Sequence, residues 1–185
     1  MNQSRVTVRY AKALLQLSIE KNSLEQSYND MVIIKKACLE SKELSLLLKS
    51  PIIKTDQKRN ILQEIFESKI GDISMNFIKI ITNKKRESLL NSIASVFISQ
   101  YKKHKNIKEV KVTTAHPLTL ELKQEIIKYI KKNEEIEVEI TEVVDKNIIG
   151  GTIIRLGDKQ LDTSVSSEIS ELRKMFNKNL YLQDF

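Results

Sequence analysis

Over the first hundred positions the apolar residues recur three and four apart, the spacing of helices that bury one side. A first helix is expected from about Val6 to Glu20, where Tyr10, Ala11, Ala13, Leu14, Leu15, Leu17 and Ile19 cover more than one stripe. Such broad coverage fits either a helix central to its own bundle or one that leaves a face for a partner. Ser23 is placed to cap a second helix carrying Leu24, Tyr28, Met31, Val32 and either Ile34 or Lys35 on successive turns. A short helix from Ser41 to Lys49 is stopped by Pro51. Thr55 reads as the N-cap of a fourth, with Asp56 in the first turn, where a carboxylate suits the helix dipole. Its stripe is Ile61, Leu62, Ile65 and Phe66. Gly71-Asp72 breaks and recaps the chain, and Ile73, Phe77, Ile80 and Ile81 mark a fifth helix that ends before Asn83-Lys84-Lys85-Arg86. Leu89, Leu90, Ile93, Ala94, Phe97, Ile98 and Tyr101 mark a long sixth. Six helices joined by short loops can enclose one core without a sheet.

After Lys105-Asn106 the period falls to two. From Ile107 to Thr114, Val110, Val112 and Thr114 alternate with Glu109, Lys111 and Thr113. Ala115-His116-Pro117 turns the chain, and Thr119 can cap a helix with Leu122, Ile126, Ile127 and Ile130, ended by Lys131-Lys132-Asn133-Glu134. Ile136, Val138 and Ile140 then alternate with Glu135, Glu137, Glu139 and Thr141, a strand with one charged, solvated face. Asp145-Lys146-Asn147 reads as a turn, and Gly150-Gly151 as an interruption of a strand pattern that resumes at Thr152-Ile153-Ile154. Gly157-Asp158 turns that strand back through Lys159-Gln160-Leu161, a short hairpin. Asp162-Thr163-Ser164 then caps a last helix whose stripe, Val165, Ile169, Leu172 and Phe176, is expected to close the small domain. The fold class is therefore mainly α: a six-helix bundle over 1–105 followed by a small α+β domain over 106–185.

Charge sharpens that boundary. The net charge is +7, and it is unevenly held: the segment to Lys105 carries 19 Lys/Arg against 10 Asp/Glu, while the remainder carries 12 against 14. A basic half suits nucleic acid, an acidic partner or membrane surface, or simply solvated helix faces. Lys84-Lys85-Arg86 and Lys102-Lys103 are the densest basic clusters, and neither is interleaved with aromatics of the kind that stack bases. Cys38 is the single cysteine, so no internal disulfide forms. No run of about 18 apolar residues is present to span a membrane. MNQSRVTVRY has no apolar core followed by a cleavage site, so no signal peptide is expected.

Candidate chemistry is sparse. His104 and His116 stand apart with no cysteine near, short of the roughly four ligands a structural zinc needs. Gly150-Gly151 lacks the following Lys-Ser/Thr of a phosphate loop. Asp145, Asp158 and Asp162 fall in turns or caps, with Asp162 best read as an acceptor for backbone N–H groups at the start of the last helix. No catalytic residue, metal or cofactor is expected, and the chain reads as non-enzymatic.

A series of short motifs resembles one family. Arg9-Tyr10-Ala11-Lys12-Ala13-Leu14 opens it, and Asn76-Phe77 with Asn83 and Arg86 follows. Then come Val112-Thr113-Thr114-Ala115, Pro117-Leu118-Thr119, Val144-Asp145 through Ile149-Gly150-Gly151, Gly157-Asp158, and Asp162-Thr163-Ser164-Val165. In this order the chain resembles the delta subunit of the F-type ATP synthase, the oligomycin-sensitivity-conferring protein family. It departs mildly at Thr114, where the family usually has Ser, and at Ser166, where it tends to have Arg. The resemblance implies a non-catalytic stator link supporting proton-coupled ATP synthesis, without cofactor. Its helical domain would sit on the catalytic head and take the amphipathic N-terminal helix of an alpha subunit between the first and fifth helices. The residues there are Tyr10, Ala13, Leu14, Leu17, Phe77, Ile80 and Ile81. Its second domain would contact peripheral-stalk subunits. Asn83, Arg86, Asp145, Gly150, Gly151, Gly157 and Asp162 are carried over as a structural signature. Membrane association would come only through the complex, on the cytoplasmic face of a bacterial inner membrane or the stromal face of a plastid thylakoid. The alternative weighed beside it is a helical adaptor that binds nucleic acid or another protein through its basic N-terminal domain.

Overall fold

The computed structural model of the chain describes residues 4–131 and 137–177. Ile136 and most of the turn expected before the second strand lie outside the described residues. Two compact units are present, 1–104 and 105–185.

The first unit is helical. It runs α1 (Arg5–Glu20), α2 (Leu24–Glu40), α3 (Lys42–Lys49), α4 (Thr55–Phe66), α5 (Asp72–Asn83), a 3-10 turn (Glu87–Leu89) and α6 (Leu90–His104). α6 is the central helix. It buries Leu90, Ile93, Ala94, Val96, Phe97, Ile98 and Tyr101, and both α1 and α2 pack along it. Tyr28 of α2 stacks on Tyr101, ring centroids 4.1 Å apart. α1 buries only Thr7, Ala11, Leu14 and Ser18, a single stripe at helical spacing. Of its remaining apolar residues, Ala13, Leu17 and Ile19 are exposed, while Tyr10 and Leu15 are half-buried.

Two expected caps differ. Ser23 occupies the N-cap position of α2, but its side chain makes no capping bond. Lys54, not Thr55, is the N-cap residue of α4, and Thr55 already has helical geometry. Ser41 does cap α3, accepting from the Leu44 amide at 3.1 Å. α5 ends in a left-handed Lys85 (φ 55°), with the Arg86 amide bonded back to the Ile81 carbonyl at 3.1 Å, so orphan carbonyls are satisfied as the chain turns.

The second unit holds β1 (Ile107–Thr114), α7 (Leu120–Lys131), β2 (Glu137–Val144), a 3-10 turn (Lys146–Ile148), β3 (Thr152–Leu156), β4 (Lys159–Asp162) and α8 (Val165–Asn177). The sheet order is β2-β1-β3-β4. β1 pairs in parallel with β2, which requires the α7 crossover, and antiparallel with β3. One face is covered: Val110, Val112, Leu118, Ile126 and Ile130 form the core, with Val138, Ile140, Ile154 and Leu156 against it. Leu122, expected in that stripe, is exposed.

Two expectations are overturned here. Gly150-Gly151 does not interrupt a strand. The residues before it form the 3-10 turn, Ile149 takes φ 63°, and β3 starts only at Thr152. The α8 stripe does not close the domain either: Val165, Ile169, Leu172 and Phe176 are all exposed, Phe176 at 87%. Helical periodicity marks which residues share a side, not what lies opposite them.

Candidate interaction surfaces

The α1/α5 surface is built from one aromatic contact and the residues around it. Tyr10 and Phe77 meet edge to face, centroids 6.4 Å apart and planes at 68°. The Arg86 guanidinium also lies over the Tyr10 ring, 5.6 Å from its centre. Its Nη1 is buried without a hydrogen bond.

Around this stack the seven residues expected for the groove separate into two sets. Leu14 and Ile81 are each 1% exposed and Phe77 is 7% exposed, so these three belong to the core. Ala13 is exposed, Leu17 is 40% and Ile80 53% exposed, and Tyr10 is half-buried. The exposed three lie on the two helices that the Tyr10–Phe77 contact joins. Asn83 is exposed at the end of α5.

The signature residues of the second unit hold backbone rather than make a cleft. Asp145 accepts from the Asn147 amide at 2.9 Å, and its own amide bonds the Thr114 carbonyl, closing the end of β1. Asp162 accepts from the Ser164 amide at 2.9 Å. The Ser164 hydroxyl and then its amide hold the Asp162 carboxyl below the ordinary carboxylate range. Ser164 in turn caps α8, accepting from the Ser167 amide. Gly151 has φ 80°, and a Cβ there would collide with the Thr163 carbonyl oxygen and stand 2.9 Å from Ser164 Cα. Gly150 is ordinary by comparison: a Cβ would meet only Val165 Cγ2, at 3.5 Å. Gly157 takes φ 58° in the hairpin turn with open space around it.

Two polar pairs escaped sequence reasoning. Lys58 Nζ lies 2.6 Å from Glu87 Oε1, with both side chains buried. Glu142 joins Lys123 of α7 and the Leu118 amide to β2. Glu142 had a readable signal, since it keeps the phase of Val138 and Ile140 and so points to the covered face. A carboxylate in that phase needs a partner. Lys58 had none, for a lysine at helical spacing reads as surface. Among the described residues no group of three or more His, Cys, Asp or Glu is placed to hold a metal, and no helix is long and apolar enough to cross a membrane.

The family model for the ATP synthase delta (OSCP) subunit matches residues 6–176. The chain belongs to that family. ATP synthase subunit delta of Christiangramia forsetii is 36% identical over 182 residues, covering 98% of each chain. The corresponding subunit of Cytophaga hutchinsonii is 32% identical, covering 97% of this chain and 98% of its own. A chain of the Toxoplasma gondii mitochondrial ATP synthase hexamer shares the fold, with a TM-score of 0.71 over 94% of this chain and 98% of that one, at 24% identity. As a delta/OSCP subunit the chain is a non-catalytic stator component linking catalytic head and peripheral stalk, a structural coupling subunit rather than an enzyme. Family membership decides for that reading over the nucleic-acid adaptor.

Proposed function

We propose that the link is made by two separate helical surfaces, one in each unit. In the first, the amphipathic N-terminal helix of an alpha subunit lies along α1 and α5. The observation that carries this is the exposed apolar set Ala13, Leu17 and Ile80 beside the Tyr10–Phe77–Arg86 stack. An amphipathic helix binds such a surface through apolar anchors at i, i+3, i+4 and i+7. Ala13 marks the place where a second helix can come closest, because its side chain is the smallest of the set. Leu14, Phe77 and Ile81 form the floor and give the surface its rigidity.

In the second unit, Val165, Ile169, Leu172 and Phe176 on α8 offer an apolar stripe to a helix of the peripheral stalk. The chain reaches the membrane only through these partners. The bacterial relatives favour the cytoplasmic face of an inner membrane.

The test is a titration of the full chain with a synthetic peptide of the cognate alpha subunit's N-terminal segment, followed by chemical-shift mapping. Shifts should concentrate on α1 and α5, and Ala13→Arg should abolish them while the melting temperature stays close to wild type. Shifts that map elsewhere, or binding that survives Ala13→Arg, would overturn the placement.

A further inference from the structure

We infer that the buried Lys58–Glu87 ion pair is a positioning device for Arg86, and through Arg86 for the partner surface on α1 and α5. The inference rests on the α1/α5 reading given under the proposed function.

Lys58 is 3% exposed, which is rare for a lysine and demands partners. Its Nζ donates to Glu87 Oε1 at 2.6 Å and to the Leu48 carbonyl at 3.3 Å. One side chain of α4 thus fastens the end of α3 to the 3-10 turn that begins with Glu87. Arg86 immediately precedes that turn. Its amide closes α5 on the Ile81 carbonyl, and its carbonyl accepts from the Leu89 amide at 3.0 Å. Glu87 is therefore turned inward to Lys58, while Arg86 reaches the Tyr10 ring on α1. The segment from Lys84 to Leu89 is pinned on both sides, by a charge pair on one and a cation over an aromatic ring on the other.

A buried ion pair is a poor device for mere adhesion. Its desolvation consumes most of what the attraction supplies, and apolar residues of the same volume would hold α3, α4 and the turn together at least as well. What the pair adds is direction. A short charge-assisted hydrogen bond fixes the turn laterally, where an apolar contact would let it slide. Arg86 Nη1 is buried without a hydrogen bond, so that nitrogen does not anchor the guanidinium. Its placement over Tyr10 depends on where the turn puts its backbone.

The experiment measures affinity for the synthetic alpha-subunit N-terminal peptide in the full chain, well below the melting temperature. The variants are Glu87→Gln, the paired replacement Lys58→Met/Glu87→Leu, and each of these combined with Arg86→Met. If the pair positions Arg86, the paired replacement weakens peptide binding by roughly tenfold while the chain stays folded, Glu87→Gln has a smaller effect in the same direction, and neither weakens binding further once Arg86 is Met. Unchanged affinity in the folded paired variant would overturn the inference and leave the pair purely structural. An equal loss with and without Arg86 would overturn it too, because the pair would then act on something else. Wild-type chain that fails to bind the peptide at α1 and α5 would instead sink the α1/α5 reading on which the inference stands.

Discussion

Glu142 on β2 and Lys123 on α7 are joined at 2.8 Å, and the second Glu142 oxygen takes the Leu118 amide at 2.6 Å. One carboxylate thereby ties the edge strand to both the helix that covers it and the loop that leads into that helix. Lys123 first, then the Leu118 amide, draw the Glu142 carboxyl below its ordinary value of 4.5. A depressed acid contributes stability that is present above its unfolded value and lost as pH falls through its folded one. The melting temperature of the second unit should therefore start to fall as pH drops below about 4.5, the ordinary value. Glu142→Gln should lower it at neutral pH and flatten that acid limb, as followed by thermal melts across pH. A limb of unchanged steepness in Glu142→Gln would assign it to other carboxylates.

Adjacent glycines give a second comparison. Gly151→Ala forces a side chain into the Thr163 carbonyl at φ 80° and is expected to cost about 1–3 kcal/mol or more. Gly150→Ala meets only ordinary van der Waals contact and should stay within about 0.5 kcal/mol of wild type. Urea unfolding of the full chain reads both. Equal costs at the two positions would mean that the Thr163 backbone yields.

Leu14 and Leu17 stand three residues apart on α1 and should behave oppositely. Leu14→Ala opens a cavity beneath the surface and is expected to cost about 2–5 kcal/mol of stability. Leu17→Ala removes a side chain that is 40% exposed and should cost about 1 kcal/mol or less. Affinity for the alpha-subunit peptide should fall in Leu17→Ala. Denaturation and titration of the same two samples decide this, and a Leu17→Ala that binds as wild type would remove Leu17 from the surface.

On α8, Leu172→Glu should leave the melting temperature within a few degrees of wild type, since the residue is 51% exposed. Co-purification with peripheral-stalk subunits should be lost, while binding to the head is kept. A large drop in melting temperature would show that α8 is packed in solution.

Much of this architecture is readable from periodicity. The helix stripes and the alternation of Val110 and Val112 with Glu109 and Lys111 are local consequences of which residues meet water. What periodicity does not carry is the identity of the opposing surface. Leu14 and Leu17 look alike in sequence, yet one is buried in the core and the other faces outward. The same ambiguity misplaced the α8 stripe in the core. Caps failed for a related reason, since Ser23 and Thr55 have suitable side chains but the backbone enters their helices without using them. The Lys58–Glu87 pair is wholly tertiary, joining positions 29 apart, and no local rule points to it.

The sheet order has a consequence for synthesis. β1 is made first, yet it ends in the middle of the sheet, between β2 and β3. Its neighbours arrive only after the α7 crossover, when Glu137–Val144 and then Thr152–Leu156 have been added. The helical unit ahead of it is complete once its central helix α6 has emerged, so it can form while β1 still waits. During that interval Val110 and Val112, fully enclosed in the finished fold, belong to a strand with two open edges. Lys108, Glu109 and Lys111 place charges along that same strand. Charges so placed along an apolar strand disfavour its pairing with a neighbouring polypeptide before its own partners have been translated.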